Sequence, residues 1–482
     1  MNTFVNTIGR PAAKPLVART LNGMRARATT SNAALDLFGS IGASRGKDIL
    51  PAFAAAFEQN RDLALRVAQW ARDVRGGAGE RQIYRDILLY LEAAEPRLLV
   101  ESKLLDNLPE LGRFDDLLIF TNPEVKYKAY SIVAKALDAG NGLAAKWMPR
   151  KGPIAIELRK VFGLSPKEYR KMLVGLTNVV EQTMCAKNWN EINFSHVPSV
   201  AMSRYMTAFH RNAPEVFEAY KAALGRNDGT AKVNAGAVYP YDIVKMLGGA
   251  RDLSYGSRYG ENYSFNQVAQ SMWDNLPDYM NDKNVLAVVD NSDSMQSQVG
   301  DTSVTALDVA ASLGMYTAQK SKGAFKDLSI SFSDDAKFVQ HAGTVEKRLE
   351  AVCSAKWGST NLHSVFNLIL NHASVYQVSA EDMPAMLVIL SDMQFNFCVR
   401  FDDSAMQMIR RKYEDAGYEM PQVVFWNLKD YGNKPVKFDD NGFALVSGFS
   451  PALMKSLLAA DIDKFTPESV MLKAVGKERY NW

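Results

Sequence analysis

Val285-Leu-Ala-Val-Val-Asp-Asn-Ser-Asp-Ser294 runs five apolar residues into a carboxylate followed at alternate positions by two hydroxyls. An apolar run of this length, bounded by turn residues, predicts a strand buried on both faces. Four further runs, at 328–332, 386–390, 423–426 and 443–446, have the same character. Amphipathic stretches near 304–320, 345–353, 361–376, 404–416 and 451–460 separate or follow them. Strand–helix alternation predicts an α/β unit over 281–482, a mostly parallel sheet of five or six strands with helices on both faces and a C-terminal helix.

Upstream of Lys283 the pattern is helical. Apolar residues recur at steps of three and four in Phe53-Phe57, Leu63-Val67-Trp70 and Ile83-Ile87-Leu91. Segments 97–107, 113–120, 124–139, 143–149, 153–162, 166–186 and 198–224 follow the same rule, with Gly, Pro and Asn between them. Residues 31–280 are therefore predicted as an array of short antiparallel helices, an α-solenoid without a strict repeat. Residues 225–283 read as transitional, with short helices near 241–247 and 265–276. Residues 1–30 hold five basic and no acidic side chains. They are predicted as a basic flexible tail that orders only against the rest of the protein.

The chain has 482 residues, 47% apolar and 23% charged, the balance of a water-soluble globular protein. No apolar run approaches the ~20 residues that span a bilayer, so no membrane partner is expected. The three cysteines form no CxxC or CxxH pattern. That sparse, odd number points to a reducing, cytoplasmic setting and away from a thiolate metal site. The net charge of +3 hides an asymmetry: residues 1–280 carry 36 Lys+Arg against 28 Asp+Glu, residues 281–482 carry 20 against 25. A basic helical part suits a polyanion.

Asp290, Ser292 and Ser294 place three oxygens on one side of a tight loop. Thr360, opening a predicted helix in Gly358-Ser359-Thr360-Asn361, and Asp392, after the strand 386–390, can bring two more. Hard divalent cations take oxygen ligands, and Mg²⁺ takes six, so Mg²⁺ or another divalent cation is the expected cofactor. His363 lies three residues beyond Thr360, where it either lines that loop or is structural; His196 reads as structural. In the helical part, Lys146, Arg150, Lys151, Arg159, Lys160, Lys167, Arg170 and Lys171 can neutralise phosphates. Trp147 and Tyr169 either stack on unpaired bases or belong to the core. Trp70-Ala-Arg-Asp-Val-Arg-Gly-Gly-Ala-Gly-Glu-Arg81 is a helix–corner–helix string, and it is not a phosphate loop because no Gly-Lys-Ser/Thr follows. Nothing reads as a nucleophile–base pair, so the chain is not expected to be an enzyme. Clustered carboxylates for two-metal phosphate hydrolysis are also missing.

Asp290, Ser292, Ser294, Thr360 and Asp392 match in order and spacing the metal-ion-dependent adhesion site of the von Willebrand factor A domain, which this region resembles. Met393 stands where that family has a small residue. The 70–81 string, Leu108-Pro-Glu-Leu-Gly-Arg-Phe-Asp-Asp-Leu117, Ala145-Lys-Trp-Met-Pro-Arg150 and Trp189-Asn-Glu-Ile-Asn-Phe-Ser-His-Val-Pro-Ser199, in this domain order, resemble the Ro autoantigen (TROVE) family. Phe425-Trp426-Asn427-Leu428 and Ser447-Gly448-Phe449 are similar to strings of its Ro-like branch of unknown function. The resemblance covers roughly residues 30–460. It implies a multidomain α plus α/β protein in which HEAT-like repeats form a ring closed by the A domain. It further implies a ribonucleoprotein that captures single-stranded ends of misfolded RNA and structured noncoding RNA. The alternative is an adaptor whose metal grips an acidic side chain of a protein partner, such as an AAA+ ATPase or an assembly factor.

Overall fold

The computed structural model describes residues 17–226, 229–235, 238–250, 263–280, 283–322, 324–332, 334–354, 358, 360–396, 405–458 and 465–482. Among the described residues, the chain up to Asp274 is almost wholly helical after a short N-terminal hairpin. The helices are α1 (Ala33–Ile41), α2 (Leu50–Gln59), α3 (Arg61–Arg72), α4 (Arg81–Ala94), α5 (Pro96–Glu101), α6 (Leu104–Leu111), α7 (Pro123–Asp138), α8 (Gly142–Trp147), α9 (Pro153–Val161), α10 (Pro166–Leu176), α11 (Val180–Cys185), α12 (Ser199–Asn212), α13 (Pro214–Arg226), α14 (Pro240–Met246) and α15 (Tyr263–Asp274). The boundaries follow local chemistry. Asn122 caps α7 ahead of Pro123, and Ser165 with Glu168 forms a capping box ahead of Pro166. Between α3 and α4 the chain turns so tightly that a Cβ at Gly77 would overlap the Trp70 carbonyl, so only glycine fits.

The continuous helix expected over 166–186 is broken. At Thr177 the hydroxyl turns back onto the Leu173 carbonyl at 2.8 Å, and the Gln182 amide donates to the same hydroxyl at 2.8 Å. A hydroxyl that bonds back one turn competes with the helix ladder and favours an end there. Residues 17–30, expected to order only against the rest of the protein, do so as a hairpin that the sequence does not signal: Val17–Arg19 (β1) and Arg25–Arg27 (β2) pair antiparallel and dock on the C-terminal unit. Residues 1–16 lie outside the described residues.

The C-terminal unit is a six-stranded sheet, β3 (Val285–Asp290), β4 (Leu328–Phe332), β5 (Ala336–Gln340), β6 (Met386–Ser391), β7 (Gln422–Asn427) and β8 (Phe443–Ser447), in the order β5-β4-β3-β6-β7-β8. All neighbours are parallel except β4 and β5. β5 was not anticipated, because its side chains are largely exposed and its sequence is mixed. Helices α16 (Ala306–Lys320), α17 (Val345–Cys353), α18 (Leu362–Tyr376) and α19 (Ala405–Asp415) cover the two faces, and α20 (Leu453–Leu458) and α21 (Pro467–Val475) follow the last strand.

Alternation along the strands divides the interior. Leu286, Val288, Leu387, Ile389, Phe425 and Leu445 face α18 and α19 in a core of their own. Val285, Val289, Val388, Leu390, Trp426 and Val446 belong to the core that also runs through the helical array. One sheet face is thus built into the array. The array meets the sheet unit at both of its ends. At one end α1 lies on β8: Ser447 Oγ donates to the Phe38 carbonyl at 2.7 Å, and Asn427 Nδ2 to the Gly39 carbonyl at 3.2 Å. At the other, the Ala250 amide donates to Asp308 Oδ1 on α16 at 2.7 Å, and Trp273 bonds Gln319. The two ends touch each other as well. The Tyr239 hydroxyl reaches the Val74 carbonyl at 3.4 Å, and Phe449 is contacted by both Arg45 and Tyr241.

Candidate metal centre and basic helical strip

β3 is central, and the chain leaves its neighbours in opposite directions: first to β4 and β5, then across to β6. Loops after β3 and β6 therefore diverge at the carboxyl edge of the sheet, which opens a crevice there. Asp290 ends β3 inside this crevice, fully buried. Its Oδ1 accepts the Ser292 amide at 2.9 Å and its Oδ2 accepts the Ser391 hydroxyl at 2.5 Å. The Ser292 and Ser294 hydroxyls lie 3.2 Å apart. Asp392, also fully buried, accepts the Gln394 amide at 3.2 Å through Oδ1. The third loop is tied to both others. Asp293 N donates to the Gly358 carbonyl at 3.3 Å, and Asn396 N to the Thr360 carbonyl at 2.7 Å. All five expected metal-site residues thus gather at one sheet edge. Ser359 lies outside the described residues.

Two carboxylates share this site, and among the described residues neither Asp290 nor Asp392 is in a salt bridge. Burial, and then the charge of Asp392, push the Asp290 carboxyl up from the usual range. Burial raises that of Asp392, against hydrogen bonds from Ser294 and the Gln394 amide and the charge of Lys429. Thr360 Oγ1 and Asp392 Oδ2 are both buried with no hydrogen-bond partner. Two buried carboxyls that resist ionising side by side, and two orphaned oxygens, are what a hard cation would resolve. Among the described residues no group of three or more His, Cys, Asp or Glu gathers, so the donors are hydroxyls and at most two carboxylates. That set fits Mg²⁺ or a similar oxygen-seeking ion rather than a soft metal.

Three features of the site escaped the sequence reading. Met393 sits at φ 63°, in the left-handed region, buried beside Asp392. A non-glycine residue held there stores roughly 1–3 kcal/mol of strain and marks an over-determined loop. The N-terminal hairpin supplies part of that determination. Leu21 N donates to Gln394 Oε1 at 2.7 Å, Asn22 Nδ2 to the Gln394 carbonyl at 2.6 Å and Thr20 Oγ1 to the Phe395 carbonyl at 2.6 Å. Lys429, just past β7, donates to Ser297 Oγ at 2.7 Å, and Ser297 Oγ donates to the Ser294 carbonyl at 2.5 Å. His363 does not line the metal loop. Its ring bonds Lys412 at 2.7 Å and Asn367 at 3.0 Å, because α18 turns it toward α19.

The eight expected phosphate contacts lie on α8, α9, α10 and the turn 148–152. Arg150, Lys151, Lys160, Lys167, Arg170 and Lys171 are exposed, and Lys146 and Arg159 are half-buried. None of the eight lies within salt-bridge distance of a carboxylate among the described residues. The two glutamates between residues 139 and 178 make their close contacts elsewhere, although the charge of Lys160 also acts on Glu157. Glu157 takes Lys126 at 2.6 Å and the Tyr130 hydroxyl at 2.9 Å, and Glu168 accepts the Ser165 amide at 2.9 Å. Tyr169 is fully buried, with its hydroxyl toward the Pro149 carbonyl at 3.3 Å, so it is core and not a stacking platform. Trp147 is half-buried, with the Arg113 guanidinium 3.6 Å from its ring centre.

Comparison with known proteins divides the chain where the grammar changes. Residues 133–286 match a family described as a domain of unknown function (DUF2828), and residues 284–479 match another so described (DUF7788). The uncharacterized protein L728 of Acanthamoeba polyphaga mimivirus is 29% identical over 513 residues, covering 94% of this chain and 86% of that protein. Among solved structures the chain is similar to the Ro protein (RSR) of Deinococcus radiodurans, with 15% identity and a TM-score of 0.48 over 93% of this chain and 99% of that one.

Proposed function

We propose that this protein binds RNA, capturing single-stranded ends or structured noncoding or misfolded RNA on the basic surface of α8–α10. In this reading the helical array is closed into a ring by a von Willebrand factor A-like domain. The observation that carries it is the set of eight basic side chains without carboxylate partners. Ion-paired arginine and lysine are already neutralised, whereas unpaired ones present their charge to a polyanion. The contact of both array ends with the sheet unit, and with each other, supports the ring. The likeness of the 70–81, 108–117, 145–150 and 189–199 strings to the Ro family supports the kind of partner.

The A-like domain would hold one Mg²⁺, or another divalent cation, through Asp290, Ser292, Ser294, Thr360 and Asp392. When bound, such an ion offers a positive centre that water or a partner's acidic side chain completes. This geometry favours a second reading, a metal-dependent adaptor for a protein partner such as an AAA+ ATPase. On neither reading is the chain an enzyme. Among the described residues no helix is long and apolar enough to cross a membrane, and Cys185 and Cys353 are free thiols. A cytoplasmic, reducing setting fits both readings.

Titration of labelled single-stranded and duplex RNA at several salt concentrations tests the first reading. Affinity should fall with a log–log slope of about −0.7 per contacted phosphate for single strands. A free single-stranded end should bind better than a duplex of equal length. Salt-insensitive or undetectable binding to both would favour the adaptor.

A further inference from the structure

A cleft of about 710 Å³ opens beside the basic strip, where three connections meet: the start of α8, the break between α10 and α11, and the segment ahead of α12. We propose that it receives an unpaired nucleobase of an RNA strand whose phosphates run along the strip. The inference rests on the RNA-binding reading and adds to it a place where bases are held.

The cleft is built by local features already noted. The turn-back of Thr177 ends α10, and the Gly142 backbone comes so close that a Cβ there would lie 2.8 Å from the Leu176 carbonyl. The 189–199 string forms the opposite wall as two single 3₁₀ turns, Trp189–Glu191 and Phe194–His196. Asn234 pins that wall by donating to the Ser195 and Val197 carbonyls at 3.1 and 3.3 Å. A volume of this size lies within the roughly 300–1,000 Å³ of small-molecule sites.

Its chemistry is that of a base rather than a phosphate. Leu143, exposed, gives apolar surface for the face of a planar ring, above a floor of buried Ile192 and Val197. At the rim, the side chains of Asn178 and His196 have no hydrogen-bond partner among the described residues and can meet the edge of a base. Glu181 and Glu191 also line the cleft. Two carboxylates repel a phosphate, yet they accept from the amino and imino donors of a base. Lys146 belongs to both the strip and the cleft lining, so a strand held on the strip has a base within reach of the opening. Sequence-specific and stacking contacts to RNA go mostly to such unstacked bases.

The test is an anisotropy titration of a labelled twelve-nucleotide single-stranded RNA against an abasic strand of equal length, with the full chain at constant salt. Wild-type protein should bind the base-bearing strand at least fivefold more tightly. N178A/H196A should lose most of that preference and keep its affinity for the abasic strand. A201W, which places a ring in the cleft, should do the same. Reversal of Arg150, Lys151, Arg159 and Lys160 to glutamate should weaken both strands. Tight, salt-sensitive binding without base preference would overturn the cleft and leave the RNA reading standing, whereas no RNA binding at all would overturn both. Wild-type-like base preference in N178A/H196A and A201W would also overturn it. Binding of a labelled oligolysine peptide that these variants abolish, with RNA binding untouched, would reassign the cleft to a basic protein partner.

Discussion

Two stretches of the helical array, Arg61–Lys128 with eleven basic side chains and Lys146–Lys171 with eight, use them in opposite ways. Between Arg61 and Lys128, eight of them lie within salt-bridge distance of a carboxylate. The centre of that network is Asp116, fully buried, taking Arg72 at 2.6 Å, Arg85 at 2.7 Å and Arg81 at 3.1 Å. Between Lys146 and Lys171 eight more have no such partner among the described residues. Charge counted along the chain already separates the two stretches, eleven Lys+Arg against twelve Asp+Glu in the first and eight against two in the second, and pairing shows how each is used. The first set fixes α3, α4 and the turn at 114–118 to one another. The second is left to whatever comes from outside.

The largest effect that could break this contrast is on stability. Arg72→Ala should cost about 3–5 kcal/mol, since it removes a buried partner of a buried carboxylate. Chemical denaturation checks this, and RNA affinity measured below the transition should not change. Next comes the strip. The fourfold reversal R150E/K151E/R159E/K160E should lower RNA affinity about a hundredfold, roughly 2.7 kcal/mol. It should move the unfolding midpoint little, because exposed substitutions each change stability by about 0.5 kcal/mol or less. If Arg72→Ala weakened RNA binding as much as the strip reversal, the contrast between fixed and available charge would be wrong.

Acid sharpens the contrast. Lysine and arginine keep their charge between pH 7 and 5, so affinity for an abasic strand, which meets the strip but offers the cleft no base, should stay flat over that range. Stability should not. His341 is buried, and desolvation, then the charge of Arg348, hold its pKa down to about 4. The unfolded chain takes up a proton below about 6.5 while the folded one does not, so this contribution is lost as pH falls from that value toward 4. The stability difference between wild type and H341Q should shift by about 2 kcal/mol between pH 7 and 5, read by denaturant melts. The smallest effect concerns the sheet edge. At ten times its dissociation constant, Mg²⁺ should stabilise wild type by about 1.4 kcal/mol. Asp392→Asn should abolish that gain, leave RNA affinity alone and not destabilise the metal-free protein, since it removes one of two like charges. Thermal melts with and without Mg²⁺ measure it.

The sheet edge was legible because strand ends and turn residues are local signals. Asp290, Thr360 and Asp392 each stand at the junction of an element and a loop, and junctions show in sequence. Side-chain direction around a helix was harder. Tyr169 and His363 each stood between two readings, and only packing decides which way they turn. The hairpin at 17–27 was invisible for a different reason. What orders it is Gln394 and its neighbours, more than 360 residues away. Lys429 and β5 were missed likewise, since a polar residue after a strand and a mixed five-residue run look ordinary until their neighbours are in place.

The joint between α1 and β8 has a consequence for how the protein is made. α1 and α3 bury apolar faces that are completed by β8, α21 and the segment around Tyr480. Tyr480 seals the corner after α3, its hydroxyl donating to Asp73 at 2.8 Å and its carbonyl accepting Gln69 at 2.7 Å. During synthesis these first helices emerge some 400 residues before their partners, at about 5–20 residues per second. For tens of seconds the nascent array therefore carries an uncovered seam. That seam stays open to solvent until the residues around Tyr480 arrive to cover it.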